Sequence, residues 1–192
     1  MKHQEKQKVV FYQQLAKNVA ANEAFILQYY PDEIFINDIT QLQTTNKYLK
    51  GIIFPENIKV AISRMPRSSD QRYILRKELR QAEILAKLGN SVYLISEQAA
   101  YKIRPKDAIV NGEEFEFRTI TGNEKTLEWE FRDAKKKGDD TNVFINVTSD
   151  ISKHEARRRV GNVLRRHLEY TGKIIMSFNA GDDIYFWDSG SF

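Results

Sequence analysis

The sequence predicts an α/β (α+β) fold in which helices flank a mixed central β-sheet, and three observations predict it. Segments of helical and of alternating period follow one another in the order α, β, α, β-β-β, α, β, α, β-β. Asn111-Gly112 joins two strands as a two-residue hairpin, a connection that only antiparallel neighbours accept. The 192 residues are 41% hydrophobic and 29% charged, enough to bury a core and too apolar for a disordered chain.

The first helix is read over residues 8–30, where Val10, Phe11, Leu15, Val19, Phe25 and Ile26 fall at roughly helical spacing without Gly or Pro, and Pro31 stops it. Residues 32–56 are mixed, with Asp32 and Asn37 as candidate caps and a break from Gly51 to Pro55. Residues 57–63 read as a strand and MPRSSD as a loop. Its Ser68, Ser69 or Asp70 can cap a helix that runs to Lys87 and closes on Gly89. Strands follow at 91–96, 108–110, 113–119, 142–147, 173–178 and 183–187, with helices at 126–137 and 152–170. We expect residues 1–70 to form a helical extension packed on a core of residues 71–192.

Composition removes several classes of chemistry. With no Cys there is no disulfide framework, cysteine-based zinc site or cysteine nucleophile. No apolar run reaches the 18 or so residues of a spanning helix, and the N-terminus lacks the apolar core of a signal peptide, so the expected location is cytoplasmic, with no membrane partner. Walker, Gly-x-Gly-x-x-Gly, Ser-His-Asp and His-Glu-x-x-His patterns are absent. Thirty Lys and Arg against 26 acids give a formal charge of +4, a mild basic bias that suits a polyanion without specifying one.

The most informative segment runs from Pro105 to Arg118. Period two puts Phe115 and Phe117 on one face of the second hairpin strand and Glu114, Glu116 and Arg118 on the other. Asp107 opens the first strand and can approach Glu116, and two carboxylates on one face suit a hard cation such as Mg²⁺ or Mn²⁺. A half-solvated hairpin whose Arg118 merely pairs with Glu114 or Glu116 has the same pattern. In the preceding helix Glu78 shares a face with Ala82, Leu85 and Gly89, which turns a carboxylate inward, where it needs a cation. The alternatives are that Glu78 pairs with Arg76 or Lys77 at the wet end of the stripe, or that Glu83 is the inward acid.

An acid in a helix that ends Ala-x-x-Leu-Ala-x-x-Gly, a strand, Pro-x-Asp, a short hairpin and Phe-Glu resemble the nuclease toxin domains at the C-termini of CdiA-type contact-dependent growth-inhibition proteins. Those domains are similar in core to PD-(D/E)XK, restriction-endonuclease-like enzymes. The resemblance covers Ile74 to Val147. It implies a restriction-endonuclease-like core and a metal-dependent nuclease acting on tRNA-like RNA or on DNA. It further implies a divalent Mg, Mn or Zn ion held by Asp107, Glu116 and Glu78, and an acidic immunity protein as partner. Where that superfamily carries Lys two residues after the second acid, this chain has Arg118, which holds a phosphate but is never a base. The toxin-like subgroup supplies its Lys from the next helix, which points to Lys135. Arg132 lies on the same helix face, so either residue can reach the charged side of the hairpin. KKKG is equally served by a cationic last turn against the helix dipole.

Lys153 to His167 holds six Lys or Arg against one acid. Ala156, Val160, Val163, Leu164 and His167 read as its inward stripe. Arg157, Arg158 and Arg165 lie on the remaining surface as candidate contacts to a phosphate backbone, together with Arg118 and Arg132. A solvated face paired with neighbouring acids is the competing reading. Without catalysis, the same features describe a module that binds nucleic acid or protein.

Overall fold

The computed structural model describes residues 2–36, 57–96 and 106–187. The cap read at Asn37, the break from Gly51 to Pro55 and the Pro105 of the hairpin motif lie outside them. The chain is mixed α/β: its strands are hydrogen-bonded neighbours in chain order, an eight-stranded sheet with four α-helices among the described residues. It divides into two units, Met1–Glu114 and Phe115–Phe192.

The first unit opens with helix α1 (Lys2–Tyr29). Its strands are β1 (Phe35–Ile36), β2 (Ile58–Ala61), β3 (Val92–Leu94) and β4 (Ala108–Val110), and helix α2 (Ser69–Lys87) joins β2 to β3. β1 runs antiparallel to β2, β2 parallel to β3 with Ile58 opposite Val92, and β3 antiparallel to β4. Residues 1–70 therefore contribute two strands of this ladder. Of the three candidate caps, Ser68 caps α2 by accepting from the Gln71 amide at 3.2 Å, and Gly89 follows its end at φ +86°, as the sequence predicts. Leu75, Leu79, Ala82 and Leu85 make its buried stripe.

α1 is held at its end by Phe25 and Ile26 and along its length by asparagines, while Val10 and Phe11 are exposed. Asn18 donates to the Gly89 carbonyl at 2.9 Å. The fully buried Asn22 donates to Ser91 Oγ at 3.0 Å and accepts from the Gly112 amide at 2.6 Å. Asn111 and Gly112, at φ 54° and 85°, make the left-handed pair of a type I′ turn, which matches the twist of a hairpin. Tyr30, Tyr93, Ile95 and Ile109 form a small buried cluster beneath the end of α1.

The division falls inside β5 (Glu113–Ile120). After it come α3 (Glu124–Lys135), β6 (Asn142–Val147), α4 (Lys153–Leu164), β7 (Ile174–Phe178) and β8 (Asp183–Trp187). β5, β6 and β7 are parallel and β8 is antiparallel. Their core is Ile120, Leu127, Phe131, Val143, Ile145, Val160, Val163 and Met176, with Phe131 and Tyr170 edge to face at 5.7 Å.

α4 ends at Leu164 and does not reach Tyr170. The chain tightens through His167 N to Leu164 O at 2.9 Å, and buried Tyr170 donates to the Thr141 carbonyl at 2.5 Å. Gly172 follows because a Cβ there would lie 2.1 Å from the Thr141 carbonyl oxygen. His167 consequently leaves the inward stripe and sits half-exposed, its Nδ1 3.2 Å from Glu169. No helix among the described residues is long and apolar enough to cross a membrane.

Candidate functional site

β2 and β3 are parallel, so both chains leave the sheet on the same side, where α/β folds form their crevices. After Ala61 the backbone makes a short 3-10 turn, Ile62–Arg64, before Ser68 starts α2. After Leu94 it reaches Ser96. Between these segments lies a cleft of about 200 Å³ lined by Ser63, Arg64, Arg67, Gln71, Ile74, Glu78 and Ser96. The first turn of α2 borders it, and a helix start presents amide donors and positive potential to an anion.

Glu78 is the inward acid, as its stripe predicts, and its cation is Arg64 from the turn, not Arg76 or Lys77. Glu83, the alternative, pairs with Lys87 at 2.9 Å. The Arg64 and Glu78 side chains are only 6% and 9% exposed, so each would be costly to bury without the other. Glu33, from the segment after α1, braces two lining residues: it accepts from Ser63 Oγ at 3.1 Å and from the Ser96 amide at 3.2 Å. Sequence reading misses Arg64, Arg67 and Glu33. The readable signal is the pair of arginines in a strand-to-helix loop at a capped helix start.

The second unit has its own buried carboxylate. Glu116 on β5 is fully buried, 2.6 Å from Lys137 Nζ and in contact with the Arg118 guanidinium. Arg118 also approaches Glu130 at 3.3 Å and Asp133 at 3.4 Å on α3. The alternation read from the hairpin holds, but its charged side is covered: Glu116 shares a face with Ile120, which lies in the core with Leu127 and Phe131. The lysine that reaches Glu116 is Lys137. Lys135 binds Asp139 at 2.6 Å and Glu169 at 3.1 Å, and Arg132 binds Glu128 at 2.6 Å, so neither makes the contact with the hairpin expected from the helix face. The Asp139 carboxylate, with Glu169 behind it, raises the Lys135 pKa. Glu169 is lowered to about 2 by its own backbone amide and then by Lys135.

Asp107 is buried at the foot of β4, in the first unit, where its carbonyl accepts from the Ile95 amide at 3.2 Å. On α4, Arg158 and Arg159 bind Glu155 at 2.7 and 2.8 Å, and Arg159 also approaches Glu124 and Glu128. These two arginines hold Glu155 down at about 2. Arg157 lies 4.5 Å over the Tyr185 ring, and Arg165 donates to Asn162 at 2.6 Å. The basic helix is thus largely matched by its neighbours.

Among the described residues, no three of His, Cys, Asp and Glu gather where they could hold a metal ion. Glu78 and Glu116, two of the three carboxylates the resemblance assigns to a divalent ion, are held by protein cations. A hard cation needs six or so oxygen ligands, and this donor set does not fit a resident one. Comparisons with protein-family models, curated proteins and solved structures find no match to the chain.

Proposed function

We propose that this chain is a nuclease that breaks phosphodiester bonds of RNA or DNA in the cleft beyond β2 and β3. The observation that supports this reading is one buried carboxylate, Glu78, paired with the Arg64 guanidinium on the wall of a cleft that also carries Arg67. A phosphodiester is an anion. Arg64, Arg67 and the start of α2 offer it charge-assisted donors in a concave site that limits water. Glu78 accepts the proton of the attacking hydroxyl, which is the 2′-OH of RNA or a water, a role that contributes about 10²- to 10⁴-fold; as the new P–O bond forms, the P–O bond to the leaving oxygen breaks and that oxygen takes a proton from water. As charge builds on the non-bridging oxygens, the planar guanidinium of Arg64 meets it with two parallel donors.

The test is incubation of the purified protein with tRNA, single-stranded DNA and duplex DNA, with Mg²⁺, Mn²⁺, Zn²⁺ or EDTA, beside Glu78→Gln. Cleavage that persists in EDTA and disappears in the variant supports the reading. Cleavage that requires a metal returns a divalent ion to these carboxylates. A second reading, a non-catalytic nucleic-acid-binding module, is favoured by the ion pairing of both Glu78 and Glu116. It prevails if nothing is cleaved and salt-sensitive binding remains.

A further inference from the structure

Positive charge is distributed differently on α2 and α4. On α4, Arg158 and Arg159 are answered by Glu155, Glu124 and Glu128, and Arg157 lies over the Tyr185 ring. On α2, Glu78 is turned to the cleft and Glu83 is matched by Lys87, which leaves Arg76, Lys77 and Arg80 along the outer side. Arg76 and Arg80 are exposed and form no ion pair among the described residues. Beside them stands Tyr73, 60% exposed, with the Lys77 ammonium 4.3 Å from its ring centroid. Ile74, next in sequence and 46% exposed, lines the cleft itself. Residues 73, 77 and 80 follow one helix face, and at 1.5 Å per residue they span about 10 Å.

Resting on the nuclease reading, we propose that this outer face of α2 docks a single-stranded stretch of the nucleic acid. Tyr73 stacks on an unpaired base next to the cleft, and Arg76, Lys77 and Arg80 hold the phosphates that follow. Charge complementarity selects a polyanion: among the α2 acids near this face, Asp70 lies in the first turn and Glu83, three residues after Arg80, is already answered by Lys87. The exposed ring selects a single strand, because a base offers its π-face to a side chain only when it is unpaired and unstacked. The face is continuous with the cleft through Ile74, so a strand lying on it runs into the Arg64 and Glu78 wall.

Fluorescence anisotropy tests this with a short labelled single-stranded oligonucleotide, and with the same sequence as a duplex, bound to the Glu78→Gln protein. Tyr73→Ala should weaken single-strand binding by about five- to a hundredfold, and Tyr73→Trp should retain it. Arg76→Ala with Arg80→Ala should reduce the slope of log K against log salt by about 1.4, the share of two phosphates on a single strand. Arg157→Ala with Arg165→Ala should change neither quantity. Circular dichroism checks that the variants remain folded. Unchanged affinity and slope in the α2 variants overturn the proposal, as does equal affinity for the duplex, which would suit an acidic protein surface no worse. If the wild type binds through α2 yet cleaves nothing, the nuclease reading falls and the docking face stands. If cleavage depends on Glu78 while binding ignores α2, the docking face alone falls.

Discussion

The two units each bury a glutamate against basic side chains, and the surroundings of those glutamates differ in one respect. Glu78 and Arg64 form a wall of a cleft, whereas Glu116 sits at 0% exposure between Lys137 and Arg118, on the side of β5 whose Ile120 joins the α3 core. A buried charge pair is weak support for stability and by itself no sign of function, because desolvation offsets most of the attraction. Access to a cavity separates the two. The pair beside the cleft faces open space, whereas the Glu116 carboxylate is itself covered and ties β5 to the turn that follows α3.

The largest effect that sharpens this contrast is on chemistry. On the nuclease reading, Glu78→Gln, which keeps an acceptor for Arg64, should lower the cleavage rate by about 10²- to 10⁴-fold, as single-turnover assays on tRNA and single-stranded DNA would measure on protein that circular dichroism shows to be folded. Glu116→Ala should act on stability, costing about 1–3 kcal/mol in urea unfolding, because Lys137 loses its 2.6 Å partner beside a buried gap while Arg118 keeps Glu130 and Asp133. If Glu116→Gln abolishes cleavage at undiminished stability, the contrast breaks and both glutamates serve the reaction.

Smaller effects test how each unit is held. Asn22→Ala removes the acceptor of the Gly112 amide and the donor to Ser91, and about 1–3 kcal/mol should be lost, read from urea midpoints. In the second unit, Glu155 is lowered from an ordinary 4.5 to about 2 by Arg158 and then Arg159. A carboxylate with a depressed folded pKa contributes stability above its unfolded value and loses it as the pH falls. The Tm difference between wild type and Glu155→Gln should therefore be present above 4.5 and shrink toward about pH 2. Lys135→Met, which removes a pair with two half-exposed acids, should cost at most about 1 kcal/mol and leave cleavage unchanged.

Most elements were legible because their signals are local. Ser68 and Gly89 bracket α2, Asn111-Gly112 sets its hairpin turn, and the strands from β4 onward fall within a residue or so of the reading. The failures have non-local causes. α4 ends at Leu164, six residues before the Tyr170 that packs on Phe131, and β1 is two residues long, too short to show a period. The candidate site was legible in part. Glu78 could be read as inward from its own helix, but Arg64 lies 14 residues earlier on another element, and no spacing rule connects them. Lys137 rather than Lys135 meets Glu116 because α3 ends at Lys135 and the chain then turns.

The sequence by itself determined the mixed α/β class, the ends of α2 and the hairpin turn, and made Glu78 one of two candidates for an inward acid. Each depends on residues within a few positions of one another, where backbone geometry and period are decisive. Only the tertiary structure decided which cation each buried carboxylate meets, that Arg158 and Arg159 of α4 are matched by acids while Arg76 and Arg80 stay exposed, and that Arg64 and Arg67 open onto a cleft. Those outcomes rest on contacts between elements distant in the chain. Their partners are chosen by packing and desolvation, which no local pattern encodes.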